Sequence, residues 1–222
     1  MSVTLLTRYS ELKQMEFSSR FRGFLPVVLD LETAGLNPNR HSLLEMAVVI
    51  LDWQNDTLSC KESHTWSIIP HKATEIDSKS LAFTNIDPYD PEREAADEEN
   101  CIRECFRLVR KAVKESGCQR AVLTGHNAHF DRQFLKAAQS RNAIGRDPFH
   151  PFTVFDTASL AVLTYGHSVL RIACERAGID FDPDQAHNAH YDARVTARLF
   201  CEIVNSSNYK NQWEPSDPAK NL

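Results

Sequence analysis

The stretch Phe24-Leu25-Pro26-Val27-Val28-Leu29-Asp30-Leu31-Glu32 is an apolar run that ends in two acids. Its length and its content of Val and Leu predict a buried β-strand over residues 24–31. Because side chains alternate along a strand, Asp30 and Glu32 should face one side of it and Leu31 the other. The acid pair alone fits an ordinary strand end with two solvated carboxylates as well as it fits a functional site.

A second feature is a hexapeptide that occurs twice. The segment His126-Asn127-Ala128-His129-Phe130-Asp131 recurs as His187-Asn188-Ala189-His190-Tyr191-Asp192. Each copy stands at the predicted start of a helix, where the helix dipole favours an acid. Helix capping is therefore the simplest interpretation of both acids. Capping accounts neither for the paired histidines nor for the Asn.

Together these segments supply four carboxylates and one histidine. That set is typical of a centre that holds divalent cations and hydrolyses phosphodiester bonds. Oxygen ligands suit Mg²⁺ or Mn²⁺ and disfavour zinc. The five candidate residues are Asp30, Glu32, Asp131, His187 and Asp192.

Length and composition limit the class of protein. A chain of 222 residues can build one sizeable core. It has no long apolar stretch and no signal-peptide pattern, so we expect a cytoplasmic protein with no membrane partner. The six cysteines lack Cys-x-x-Cys spacing, which indicates reduced thiols rather than a zinc ribbon. Since the net charge is −5, any basic surface for nucleic acid has to be local.

The order of predicted elements indicates an α/β protein. Three strands come first and predict an antiparallel meander, while later strands alternate with helices and extend it into a mixed sheet covered on both faces. Residues 142–152 are expected to form a loop, and the last dozen residues to fray. The predicted strands are 24–31, 43–52, 63–69, 120–125 and 152–156, and the predicted helices are 78–85, 98–116, 131–141, 157–164, 168–177 and 190–204.

Three motifs resemble those of the DEDDh 3′–5′ exonuclease superfamily. They are Asp30-Leu31-Glu32-Thr33-Ala34-Gly35, the first hexapeptide, and His187 with Asp192 five residues later. Further blocks resemble the bacterial ribonuclease T family within that superfamily, over about residues 20–204. These blocks include Arg20-Phe21-Arg22-Gly23-Phe24, Leu81-Ala82-Phe83, Pro148-Phe149-His150-Pro151-Phe152 and Gln185-Ala186-His187.

The resemblance implies a ribonuclease H-like fold with a central mixed five-stranded sheet flanked by helices. It divides the chain into an N-terminal extension (1–19), an exonuclease domain (20–205) and a flexible C-terminal tail (206–222). It implies an enzyme that trims short single-stranded 3′ ends of tRNA and other stable RNAs and releases nucleoside 5′-monophosphates. The alternatives are a single-stranded DNA exonuclease of repair or proofreading, and a non-catalytic module that binds nucleic-acid ends.

The resemblance also implies a role for each candidate residue. Asp30 bridges two Mg²⁺ ions, for which Mn²⁺ can substitute. Glu32 and Asp192 complete the first ion, and Asp131 holds the second, mostly through water. His187 takes the proton from the attacking water, a role that suits an imidazole side chain.

Recognition of the RNA end is expected to rest on aromatic side chains, because bases stack on them with little sequence demand. By resemblance, Phe83, Phe130 and Phe152 stack the terminal bases. Two positions depart from the family pattern, since Leu36 replaces a stacking Phe and Lys79 replaces a Glu. A cation cannot accept hydrogen bonds from a base edge. We therefore expect tighter but less base-selective binding of the end.

Finally, the resemblance implies a homodimer in which the basic patch of one subunit feeds RNA into the active site of the other. In such a dimer the basic patch needs only to lie across the interface from the acids, so it is compatible with a net charge of −5. Arg146 stands beside Gly145, where the family has a Lys, and is a candidate substitute. The residues assigned to this patch are Arg20, Arg22, Lys114, Arg120 and Arg146.

Overall fold

A computed structural model describes Phe17 and residues 21–206. Residues 1–16, including most of the expected N-terminal extension, lie outside the described residues, as do Arg20 and residues 207–222 of the expected tail. The elements in chain order are β1 (Phe24–Thr33), β2 (Leu43–Gln54), β3 (Thr57–Ile69), α1 (Ser78–Thr84), β4 (Ala96–Asp97), α2 (Glu98–Glu115), β5 (Arg120–Gly125), α3 (Ala128–Arg141), β6 (Phe149–Asp156), α4 (Thr157–Tyr165), α5 (Leu170–Arg176) and α6 (Ala189–Asn205).

The predicted α/β class and mixed sheet are confirmed. The sheet has the order β4-β3-β2-β1-β5-β6, with β1 at its centre. β1 pairs antiparallel with β2 and parallel with β5. Its successive apolar residues Val27, Val28 and Leu29 are fully buried, as expected for a strand covered on both faces. β2 and β3 form a hairpin whose turn residues Asn55 and Asp56 both have positive φ, which matches the twist of the flanking strands.

The sheet differs from the prediction in three places. It has six strands rather than five, because the two-residue strand β4 pairs with the last two residues of β3. β3 begins at Thr57 rather than at 63, since hairpin pairing recruits residues whose sequence pattern is mostly polar. Residues 149–152, predicted as loop, belong to β6. That strand lies at the sheet edge, where the missing N–H of Pro151 is tolerated.

The helices close the core around this sheet. α6 packs along β3, β2 and β1, while α2 and α3 contact each other and the central strands. The largest buried side chains of the core include Phe106, Phe134, Phe149 and Phe200. Within the described part of the chain, no helix combines the length and the apolar character needed to cross a membrane.

A buried ion pair joins α2 to α3. The carboxylate of Glu98 accepts hydrogen bonds from Nε and Nη2 of Arg141, both at 2.7 Å, and from Nδ2 of Asn142 at 2.6 Å. Both charged side chains are largely removed from water. A buried carboxylate that loses its partner is strongly destabilising.

Arg141→Ala is therefore expected to lower the free energy of unfolding by about 3–5 kcal/mol. Urea denaturation followed by circular dichroism measures this loss. Arg40→Ala is the matched control, because the pair between Arg40 and Glu75 is exposed and should contribute far less. Equal losses in the two variants would contradict the structural role of the buried pair.

Candidate active site

The two acids of β1 lie where the sheet begins to open. In the register of β1 with β2, Asp30 lies beside Ala47 and Glu32 beside Glu45. On the other side, β5 pairs with β1 only up to Val28, so it ends before the acids. Glu32 is 8% exposed. The end of β1 therefore presents two carboxylates to whatever follows β5.

The turn after β5 brings Asp131 to this point. Asp131 lies in the first turn of α3 and is 4% exposed. Its Oδ1 accepts a hydrogen bond of 3.0 Å from the backbone N–H of Leu31, between the two acids of β1. Gly125 permits this approach, since a Cβ there would lie 3.1 Å from the carbonyl oxygen of Leu29. Asp131 is thus fixed by the backbone of β1.

The second hexapeptide brings Asp192 and His187 to the same place. Asn188 caps α6 by accepting a hydrogen bond from the backbone N–H of Tyr191 at 3.0 Å. Oδ2 of Asp192 accepts the backbone N–H of His187 at 2.9 Å, and His187 adopts a positive φ of 66°. Potential ligand atoms of Glu32, His187 and Asp192 lie within 4.8 Å of one another.

Burial raises the pKa of every acid in this cluster, and repulsion from neighbouring acids raises the pKa values of Asp30 and Glu32 further. Burial, followed by repulsion from Asp131, Glu32 and Asp192, raises the pKa of Asp30 well above its usual value. Burial and then repulsion from Asp192 raise the pKa of Glu32 to about 8. Burial also raises the pKa of Asp131 to about 8, and raises that of Asp192 against the hydrogen bond from His187.

The donor set fits a hard divalent cation. Carboxylate oxygens are the ligands that Mg²⁺ prefers, at about 2.0–2.1 Å, so two ligands of one ion lie within about 4.2 Å of each other. Potential ligand atoms of Glu32 and Asp192 lie within 4.8 Å of each other, so these two acids need at most a small adjustment to meet this limit. A bound cation would offset the repulsion that raises the pKa values of the acids.

The two copies of the hexapeptide place their first histidine in different surroundings. Nδ1 of His126 lies 2.9 Å from Oγ1 of Thr157, and its Nε2 lies 2.6 Å from the carbonyl oxygen of Ser168. Burial lowers the pKa of His126. Both of its nitrogens are thus engaged in holding the turn after β5, whereas His187 is exposed beside the acids.

The second histidines of the two copies also differ. His129 is exposed on α3. Nε2 of His190 lies 3.1 Å from Oγ of Ser63 and links α6 to β3. Neither residue belongs to the cluster of potential ligands around Glu32.

Of the three aromatic residues expected to stack on RNA bases, Phe83 is the one whose ring contacts the ring of His187. Its ring is 67% exposed, and its centroid lies 4.2 Å from that of the His187 ring. Phe130 is half-buried next to Asp131 and packs on Phe134 at 4.8 Å. Phe152 is 83% exposed on β6, and its ring contacts His150 at 6.1 Å. Two of the three rings therefore leave most of their surface open for stacking.

The predicted basic residues within the described part of the chain are all exposed. Arg22 and Arg120 lie together, because Arg120 pairs with Phe24 in the register of β5 with β1. Burial is the largest cause that lowers the pKa of His150, and the charges of Arg120 and then Arg22 lower it further. This basic pair marks the end of the sheet opposite the acids.

Of the other two basic candidates, Lys114 lies on α2, and Arg146 lies in the segment between α3 and β6. Lys114 lies one helical turn beyond Arg110, and Nη1 of Arg110 donates a hydrogen bond of 3.0 Å to the carbonyl oxygen of Arg146. The carbonyl contact places Arg146 against this helix. Arg146 therefore lies near a basic side chain of α2.

Sequence reasoning missed Glu45. Its Oε2 accepts the backbone N–H of Ala189 at 3.4 Å, and burial raises its pKa. It lines a cavity of about 480 Å³ together with His187 and Arg93. The sequence did contain a signal for this residue, because Glu45 is an acid inside the apolar run Leu43-Leu44-Glu45-Met46-Ala47, where a charged side chain is unusual. Its role appears only when the register places it beside Glu32.

Comparison with known proteins agrees with this geometry. A family model described as exonuclease matches residues 27–200. Ribonuclease T of Marinobacter nauticus is 55% identical over 189 residues, which cover 85% of this chain and 86% of that protein. Ribonuclease T of Escherichia coli strain K12 is 47% identical over 196 residues, covering 87% and 91%.

Solved structures with low sequence identity show the same fold. Escherichia coli exonuclease I in complex with a dT13 oligonucleotide matches with a TM-score of 0.65 and 16% identity, over 82% of this chain and 41% of that one. This chain thus spans less than half of exonuclease I. The nuclease domain of 3′hExo, a DEDDh family member bound to rAMP, matches with a TM-score of 0.64 and 18% identity, over 86% and 96%.

Proposed function

Because the chain belongs to the ribonuclease T family of exonucleases, we propose that it trims short single-stranded 3′ ends of tRNA and other stable RNAs in the cytoplasm. It works as a 3′–5′ exoribonuclease and releases nucleoside 5′-monophosphates. The observation that carries this proposal is the convergence of potential ligand atoms of Glu32, His187 and Asp192 within 4.8 Å, beside Asp30 and the buried Asp131.

Two Mg²⁺ ions, or Mn²⁺ in their place, are the proposed cofactors. Asp30 would serve both ions, Glu32 and Asp192 would complete the first site, and Asp131 would hold the second ion, mostly through water. When bound, the ions supply positive charge against the negative charge that builds up on the attacking and leaving oxygens. The protein contributes the rigidity of the site, since Asp131 and Asp192 are each held by a backbone N–H.

His187 acts as the general base. Its imidazole lies among the acids and is exposed on the substrate side, so it can take the proton of the attacking water. The neighbouring ring of Phe83 orients the imidazole at a centroid distance of 4.2 Å. Stacking of the terminal nucleobase on Phe83 would therefore place the scissile phosphate next to His187.

The activity is tested with a hairpin RNA that carries a 3′ overhang and with its DNA twin. Purified protein should shorten the RNA overhang with Mg²⁺ and stop when a chelator is added. Shortening that continues in excess chelator would contradict the metal assignment. A marked preference for the DNA twin would support the alternative, a single-stranded DNA exonuclease.

Terminal-base preference is the next prediction. Leu36 is exposed where the family pattern has a stacking ring, and Lys79 is exposed on α1, the helix that carries Phe83. With one stacking wall reduced and a base-edge acceptor lost, RNAs that end in A and in C should be trimmed at similar rates. Single-turnover trimming of two RNAs that differ only in the last nucleotide measures this. A strong block at terminal C would contradict it.

We also propose that the enzyme works as a homodimer. Arg22 lies just before β1, whose first residue Phe24 precedes Asp30 by six residues, about 20 Å along an extended strand. The basic pair Arg22 and Arg120 thus lies at the end of the sheet remote from the subunit's own acids. In a dimer, this surface together with Lys114 and Arg146 can lie across from the partner's site. Arg20 belongs to the same proposed surface.

Charge reversal tests this arrangement. The double variant Arg22→Glu/Lys114→Glu should bind RNA much more weakly and with a shallower salt dependence, because each lost phosphate contact reduces the slope by about one. The double variant Arg171→Glu/Arg176→Glu on α5 is the control of equal charge change. An active monomer in sedimentation at assay concentration would contradict the dimer.

A further inference from the structure

Two of the six cysteines lie side by side on different elements. Cys60 is exposed on β3, and Cys201 is buried on α6. Their thiols share a side-chain hydrogen bond. Neither residue belongs to the proposed active site.

Contacts along α6 hold this pair in place. One turn beyond Cys201, Nδ2 of Asn205 donates a hydrogen bond of 2.8 Å to the carbonyl oxygen of Leu58, and its Oδ1 accepts the N–H of Leu58 at 2.9 Å. Leu58 lies two residues before Cys60, on the same side of β3. At the other end of α6, His190 contacts Ser63 at 3.1 Å. The fold therefore sets the two thiols next to each other.

The surroundings give the two thiols different reactivity. The hydrogen bond from Cys201, followed by the nearby charges of Arg194 and Arg198, lowers the pKa of Cys60. The same hydrogen bond, and then burial, raise the pKa of Cys201. An exposed thiol with a lowered pKa beside a buried thiol with a raised pKa is the arrangement of a reactive cysteine with a resolving partner.

We propose that Cys60 and Cys201 form a peroxide-sensitive pair that closes to an internal disulfide. The Cys60 thiolate attacks one oxygen of hydrogen peroxide, the O–O bond breaks, and the departing hydroxide takes up a proton to leave as water. The thiol of Cys201 then attacks the sulfur of the resulting sulfenic acid. The S–S bond forms, and the displaced hydroxyl leaves with the Cys201 proton as a second water. Two thiols are oxidised and one peroxide is reduced.

Closure would fasten α6 to β3. α6 also carries Asp192 in its first turn and Asn188 as its cap, so the disulfide joins the helix of the third motif to the outer part of the sheet. The pair is therefore an oxidative modification site on the helix that completes the proposed metal centre, rather than a part of that centre.

Intact-mass measurement and thiol titration test the proposal on the full chain. After a brief treatment with equimolar hydrogen peroxide, the protein should lose two hydrogen atoms and two of its six titratable thiols. Peptide mapping should show a Cys60–Cys201 link that a reductant reverses. Cys201→Ala should stop at a sulfenic acid on Cys60 that dimedone captures. Cys60→Ser, a change at an exposed position, should lose this oxidation.

Cys118→Ser is the matched control, because it removes a half-buried thiol outside the pair and should leave the disulfide intact. The proposal is overturned if all six thiols survive a peroxide dose that oxidises an equal concentration of free glutathione. It is also overturned if peroxide first joins other cysteines, or if it joins Cys60 of two separate chains.

Discussion

His187→Ala should lower kcat by roughly 10²- to 10⁴-fold, the usual contribution of a positioned general base. The side chain lies among the acids without being fixed by them, since the hydrogen bond from residue 187 to Asp192 comes from the backbone. Removing the imidazole should therefore leave metal binding largely intact. Single-turnover trimming at saturating Mg²⁺, with a metal titration in parallel, separates the two effects.

His129→Ala is the control for this substitution. His129 belongs to the other copy of the hexapeptide and is exposed on α3 outside the cluster. Its replacement should leave kcat within a few-fold of the parent. Near-normal turnover of His187→Ala, or a crippled His129→Ala, would refute the assignment of the base.

Asp30→Asn should have two opposite effects. It should lower turnover by about 10³-fold or more, because several kcal/mol of charge stabilisation depends on the metals and each tenfold in rate corresponds to about 1.4 kcal/mol. It should also stabilise the metal-free protein at pH 8, since it removes one of the mutually repelling acids. Trimming assays and urea denaturation in the presence of chelator measure the two effects.

The pH dependence of stability follows from the same acids. The pKa values of Glu32 and Asp131 are about 8 in the folded chain, and near 4 in an unfolded one. Between these values the folded state binds more protons than the unfolded state, so the free energy of unfolding falls as pH rises from about 4 to about 8. Saturating Mg²⁺ should reduce this fall.

Asp30→Asn should make the dependence of the free energy of unfolding on pH flatter. Asp180→Asn is the control, because it changes an exposed acid outside the cluster and should leave this dependence unchanged. Stability of the metal-free parent that rises steadily from pH 5 to pH 8 would contradict the raised pKa values. It would show that Glu32 and Asp131 are not buried as acids in the metal-free folded chain.

Much of the site could be predicted because its residues stand in strong local patterns. The apolar run before Asp30 predicts a strand, and an acid in the first turn of each helix follows from the helix dipole. The family motifs then connect these distant positions. Structure confirms the fold class, with one short extra strand, and brings Glu32, His187 and Asp192 together.

Contacts between distant segments decided the rest. The near-identical hexapeptides cannot reveal that His126 is bonded to Thr157 and Ser168 while His187 faces the acids. Glu45 acquires its place from the register of β2 with β1, and Cys60 meets Cys201 because α6 lies along β3. Side-chain periodicity is a local property that the sequence by itself determines. Which segments then pair depends on the free energy of the whole packed chain, which only the tertiary structure displays.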